Sequence, residues 1–169
     1  RFLYRMMGLS KVVSVDGVVQ VVEAGGRGVK ITTLKMFLAR SRDSAGRPKV
    51  IVGRLDEKYQ HLVPDAINYA CLQVGKPYDH PFIMGEDAFY CSELLYFAFA
   101  HANGGEAVFP TAPMTFKDPR TGEFFPAWVE YYQRLGREIP EGEPGLNPGG
   151  MSRHRHVKII ASLGEVSRK

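Results

Sequence analysis

The sequence holds no apolar run near the roughly 18 residues that a membrane span needs, no repeat at a period of 20–50 residues and no low-complexity tract. Cysteine is scarce. The 2 present, Cys71 and Cys91, are too few for a disulfide scaffold, although one bridge between them stays open. Neither belongs to a Cys-x-x-Cys pair, so the ligand spacing of a structural zinc site is absent and no metal or cofactor is expected. No histidine occurs before His61. Lys and Arg form no dense run interleaved with aromatics, so no nucleic-acid partner is expected. The chain opens on Arg1 rather than Met and shows no signal peptide, which marks the sequence as a processed product or a piece of a longer chain.

What is present is ordinary globular material. Of 169 residues, 44% are hydrophobic and 24% charged, which excludes disordered, collagen-like and coiled-coil classes. The length suits one domain over residues 1–169. Charge is segregated: residues 1–58 carry 12 basic and 5 acidic side chains, residues 59–150 carry 5 and 12, and residues 151–169 carry 5 and 1. A basic first third beside an acidic middle fits a polar substrate, an anionic surface or self-complementary packing.

Lys11–Val15 and Val18–Glu23 are β-branched runs joined by Asp16-Gly17, a hairpin signature. Val29–Thr32 reads as a third strand, Thr33 as an N-cap before a short helix, and Lys49–Leu55 as a further strand. The spacing of Ile67, Ala70, Cys71 and Val74 predicts a helix over Leu62–Val74, with Cys71 on its buried stripe as an inert hydrophobe. Ser92–His101 is apolar around most of its circumference and belongs at the centre of a domain. Ala127–Leu135 forms a third, aromatic helix. Arg137–Gly150, with 3 prolines and 4 glycines, reads as an extended loop, and His156–Ser162 as a last strand. Strands before and after a central pair of helices indicate an α+β fold, an antiparallel sheet packed against helices.

Cys91 differs from Cys71 in its setting. It precedes the most apolar helix directly, where unpaired backbone N–H groups favour thiolate over thiol, and the thiolate is the nucleophile a cysteine hydrolase needs. Around it, Gly75-Lys76-Pro77-Tyr78-Asp79 followed by Tyr90-Cys91-Ser92-Glu93-Leu94 resembles the paired signature of the YiiX-like branch of NlpC-type, papain-like cysteine hydrolases. Val21-Val22-Glu23-Ala24 and Val29-Lys30-Ile31-Thr32-Thr33-Leu34 resemble that branch's strands, in matching order over residues 11–100. The resemblance implies a circularly permuted papain-like fold and cysteine-dependent hydrolysis of an amide, as in a cell-wall peptide, or of an acyl or ester substrate through a thioacyl intermediate. It implies Cys91 as nucleophile, Glu23 as the group orienting a histidine, Tyr78 as a site-lining hydroxyl beside Tyr90, and a cell-envelope or periplasmic setting. Read without it, Glu23 ends an exposed strand and Tyr78 packs a loop.

The sequence departs from that pattern at the base. The branch's histidine belongs some fifteen residues before Glu23, where this chain reads Met6-Met7-Gly8-Leu9-Ser10-Lys11. Either the piece carrying it is missing or altered, or the domain has lost its base and is a binding module for a peptide or lipid headgroup. His80, beside Tyr78, and His156, opening the last strand, are the possible substitutes. His61 reads as a surface residue, and His101 ends the Cys91 helix about 15 Å from its start. Asp79, Glu86 and Asp87 form a weak cation-site pattern, Phe124–Trp128 a core or groove wall, and Phe2–Met7 a weak membrane-surface contact.

Overall fold

The computed structural model describes residues 8–15 and 18–163. The Asp16-Gly17 turn and the Phe2–Met7 stretch lie outside the described residues. Strands β1 (Gly8–Val15), β2 (Val18–Gly25) and β3 (Gly28–Thr33) form an antiparallel sheet in that order. Along β2 successive side chains point to opposite faces, and both faces are buried. Val22 and Ala24 enter the main core, while Val21 and Glu23 are buried outside it. In the β1–β2 ladder Gly8 stands opposite Glu23, and on the other side Glu23 stands opposite Lys30.

Thr33 caps α1 (Leu34–Arg40), its hydroxyl accepting the Met36 N–H at 3.2 Å. The expected helix over Leu62–Val74 is α3 (Val63–Leu72), with proline in its first turn, where no intrahelical donor is lost. It packs against α4 (Cys91–Ala102). Leu62, Ala66 and Ala70 meet Leu94, Leu95, Ala98 and Phe99 beneath β2. Burying each large apolar side chain there contributes about 1.5–3 kcal/mol. Gly28 ties sheet to helix: its φ is 87°, and a Cβ would sit 2.3 Å from the Lys76 carbonyl oxygen. The Val29 N–H donates to that oxygen at 2.9 Å, and the Gly75 N–H donates back to Val29 O at 3.0 Å. Only glycine fits so close an approach.

The strands do not join into one sheet. β4 (Val50–Leu55) pairs with β7 (Val157–Leu163) in a separate ribbon, and the short α2 (Glu57–Gln60) follows β4. A third pair joins β5 (Ala112–Pro113) to β6 (Pro144–Gly145). Between them lies α5 (Pro126–Leu135), ended by Gly136 in the left-handed conformation. The expectation that 137–150 is simply extended is corrected: β6 falls inside it, and α6 (Pro148–Ser152) begins there. Asn147 caps α6, its side chain accepting the Gly150 N–H at 2.8 Å, a local bond that outweighs the neighbouring glycines.

Candidate active site

Cys91 is the first residue of α4, one position earlier than the apolar pattern suggested, with Tyr90 as N-cap in extended geometry. Burial pushes the Cys91 thiol up. The Ser92 backbone N–H, the Ser92 hydroxyl and the Cys91 N–H act in the opposite direction. The helix-start stabilisation of the thiolate is therefore real but smaller than the desolvation opposing it. Both cysteines are free and half-buried. Cys71 packs against the core, so it is less enclosed than a fully buried stripe position.

The residues flanking Cys91 are fixed by a distant segment. The Ser92 hydroxyl donates to the Leu146 carbonyl at 3.0 Å, and the Leu146 N–H donates to the Tyr90 hydroxyl at 3.3 Å. Glu93 is completely buried. Its carboxylate accepts the Tyr90 N–H at 3.0 Å, as in a capping box, and the Gly85 N–H at 2.7 Å. Burial raises Glu93 to about 7, and neighbouring Asp79 adds to the shift.

Tyr78 lies within the electrostatic field of Cys91. Burial pushes its hydroxyl above the ordinary tyrosine range and an ionised Cys91 would push it further; on Tyr90 burial acts first, against the Leu146 amide, then Glu93 and Cys91. Asp79 is buried and raised by desolvation, against the Ile83 and Phe82 amides. Its carboxylate accepts the Ile83 N–H at 2.8 Å. His80 is exposed, its ring 5.2 Å from that of Tyr78 and its Nδ1 3.0 Å from the Tyr131 hydroxyl. That hydroxyl also donates to the His80 carbonyl at 3.1 Å.

The other expected residues each have partners of their own. Glu23 is taken up by the Arg40 guanidinium and by Thr32, whose hydroxyl donates to it at 3.0 Å. His156 bonds Asp56 at 2.6 Å and packs on Tyr59 and His154 where β4 and β7 meet. His101 stacks on Tyr69, and His61 is exposed. Among the described residues no histidine contributes to the shift of the Cys91 thiol. Glu86 accepts the Tyr69 hydroxyl at 2.8 Å, which separates its role from that of Asp79. No three His, Cys, Asp or Glu side chains converge on a metal position among the described residues. Of the 124–128 cluster, Trp128 packs among aromatic rings, 5.7 Å from Phe82 and 5.2 Å from Phe116.

Glu93, Phe82 and Tyr131 were not singled out from sequence. Glu93 had a signal, a carboxylate three residues after a helix N-cap. Phe82 and Tyr131 had none, because their partners are distant in the chain.

Strands first, then a cysteine opening a helix that packs beneath them, is the arrangement of a permuted papain-like fold. The chain belongs to the permuted papain-like amidase enzymes of the YaeF/YiiX, C92 family, whose family model matches residues 10–161. Its fold is similar to the crystal structure titled metalloprotein yiiX from Escherichia coli O157:H7, with a TM-score of 0.67 and 24% identity, covering 87% of this chain and 77% of that one. No curated protein matches the chain. The family is one of amide-bond hydrolases, and the α+β, papain-like reading is borne out.

Proposed function

We propose that the chain hydrolyses amide bonds through Cys91, with His80 as proton carrier and Tyr78 as a neutral hydroxyl at the site. The observation that carries this is the position of Cys91 at the first turn of α4, its thiol largely buried, with the Ser92 and Cys91 amides beside it. Burial keeps the resting thiol protonated, so attack requires a base, and His80, whose ring packs 5.2 Å from that of Tyr78, is the imidazole we assign to that role. In the reaction the sulfur attacks the carbonyl carbon and its proton passes to the imidazole. The C–N bond breaks with that proton on the leaving amine. Water then adds to the thioester, releasing the acid and restoring the thiol. Backbone N–H groups at the helix start stabilise the oxyanion.

The substrate in this reading is a peptide or cell-wall fragment, with a lipid-like acyl ester reaching the same thioacyl intermediate. No helix among the described residues is long and apolar enough to cross a membrane. Incubation with an activated acyl ester, read by intact-mass spectrometry, should give an acyl adduct on the parent and none on Cys91→Ser. An adduct retained in Cys91→Ser overturns the assignment. His80→Ala should slow acylation by about 10²–10⁴-fold, the usual value of positioned acid–base help.

A second reading has its own support. Glu23 is occupied by Arg40, and the residue across from it is Gly8. A domain with its carboxylate so neutralised fits a binding module of the same fold, recognising a peptide or lipid headgroup without turnover. Binding of such a ligand by a parent that forms no acyl adduct would select this reading.

A further inference from the structure

The surface beside the thiol is aromatic, and one of its residues is held under strain. Phe82 has φ of 57°, in the left-handed region. For a bulky side chain that conformation persists only where the surroundings over-determine it, and such residues cluster at functional sites. Here the constraints are visible. Asp79 accepts the Ile83 N–H, the Tyr131 hydroxyl donates to His80 O, and the Tyr132 hydroxyl donates to Pro81 O at 2.9 Å. The residues around Phe82 are thus fastened on both sides, the Phe82 amide itself faces the Asp79 carboxylate, and the Phe82 ring is turned inward. Its centre lies 5.4 Å from Tyr90, 5.7 Å from Trp128, 6.0 Å from Tyr131 and 6.2 Å from Tyr78. Tyr90 directly precedes Cys91 and N-caps the helix that Cys91 opens, which sets this ring cluster beside the thiol. Tyr78, Phe82, Trp128 and Tyr131 are all half-buried, so each keeps part of its ring open to a ligand.

We propose that Phe82 is a specificity-determining residue: with Tyr78, Trp128 and Tyr131 it forms an aromatic wall beside Cys91 that binds a flat, apolar group next to the carbonyl under attack. This rests on the reading of Cys91 as the reactive thiol. The strained turn is what places the Phe82 ring in the wall. An unstrained φ would swing the side chain away from Tyr78 and Tyr90.

The test uses two probes with one warhead, N-phenylmaleimide and N-methylmaleimide, on the full chain carrying Cys71→Ser. Each adds the thiolate across its double bond, forming one C–S bond, and the neighbouring carbon takes a proton. The ratio of the two rate constants, divided by the same ratio for glutathione, cancels the thiolate fraction and the intrinsic reactivity. The parent should prefer the phenyl probe by about 2–10-fold, the range of one good aromatic pair. Phe82→Leu and Trp128→Leu should bring the ratio to that of glutathione, and Phe82→Tyr should keep it. A parent ratio equal to that of glutathione overturns the proposal, as does an unchanged ratio in Phe82→Leu. Should Phe82→Leu lose its near-ultraviolet circular dichroism, Trp128→Leu decides by the same criterion. Turnover is not needed for this readout. A phenyl preference without acylation leaves the wall standing and removes the hydrolase reading, while acylation without preference does the reverse.

Discussion

Gly8 and Glu23 face each other across the β1–β2 ladder. Directly opposed residues in an antiparallel pair have Cβ atoms about 4.5–5.5 Å apart, so a side chain at position 8 would neighbour the Glu23 carboxylate. Glycine offers none, and the carboxylate is satisfied by Arg40 and Thr32 instead.

An imidazole placed there should feel that carboxylate. In an Arg40→Ala background, Gly8→His should give a ring titrating above the ordinary value of about 6.5, because a neighbouring negative charge favours the protonated form. Ring-proton NMR against pH reads it. A value at or below 6.5 would show that the two positions do not face each other.

Arg40→Ala alone should destabilise the protein by about 1–3 kcal/mol, since it leaves a nearly buried carboxylate without its charged partner. Urea unfolding measures this. The double variant with Glu23→Gln should recover part of the loss, because the uncompensated charge is then gone.

Burial places the Cys91 thiol above its usual range. The alkylation rate of Cys91, followed with iodoacetamide in a Cys71→Ser background, should therefore have its midpoint above about pH 8.5. Ser92→Ala should move it higher by removing a group that lowers it. A midpoint below about pH 6.5 would mean that some unassigned cation supports the thiolate.

Glu93 makes stability fall as pH rises. Its folded value of about 7 lies above the ordinary 4.5, so the folded protein keeps a proton that the unfolded chain releases between them. The contribution is fully present below pH 4.5 and lost as pH passes 7, reaching at most about 3 kcal/mol. Urea unfolding between pH 4.5 and 8 should show this decline in the parent and a flatter line in Glu93→Gln. Equal slopes would mean that Glu93 is ionised throughout.

Much of this fold was legible because its main elements carry their own periodicity. The stripe of α3, the apolar run of α4 and the β-branched strands each announce an element within ten residues. Cys91 was legible too, as the junction between a loop and an apolar helix. Between Thr111 and Gly150 only the helix α5 was legible, because what fixes the rest is non-local: tyrosine hydroxyls reaching carbonyls 51 residues away and a proline-rich stretch held by Tyr90 and Ser92. Nor does any local signal put a phenylalanine at positive φ, since the constraint comes from Asp79 and from two tyrosines of α5. The direction of the Cys91 shift was also out of reach, because helix position reads from sequence and desolvation does not.

The bonds from Tyr90 and Ser92 to Leu146 span 56 and 54 residues, and this has a consequence for synthesis. At about 5–20 residues per second, a ribosome needs about 3–11 s to pass from the cysteine to the segment that brackets it. During that interval α4 can form and Glu93 can hold the Tyr90 amide, but the Tyr90 and Ser92 hydroxyls lack their Leu146 partner. The nascent chain therefore presents its thiol to small oxidants and electrophiles before the finished molecule half-encloses it, and the arm around Leu146 ends that exposure on arrival.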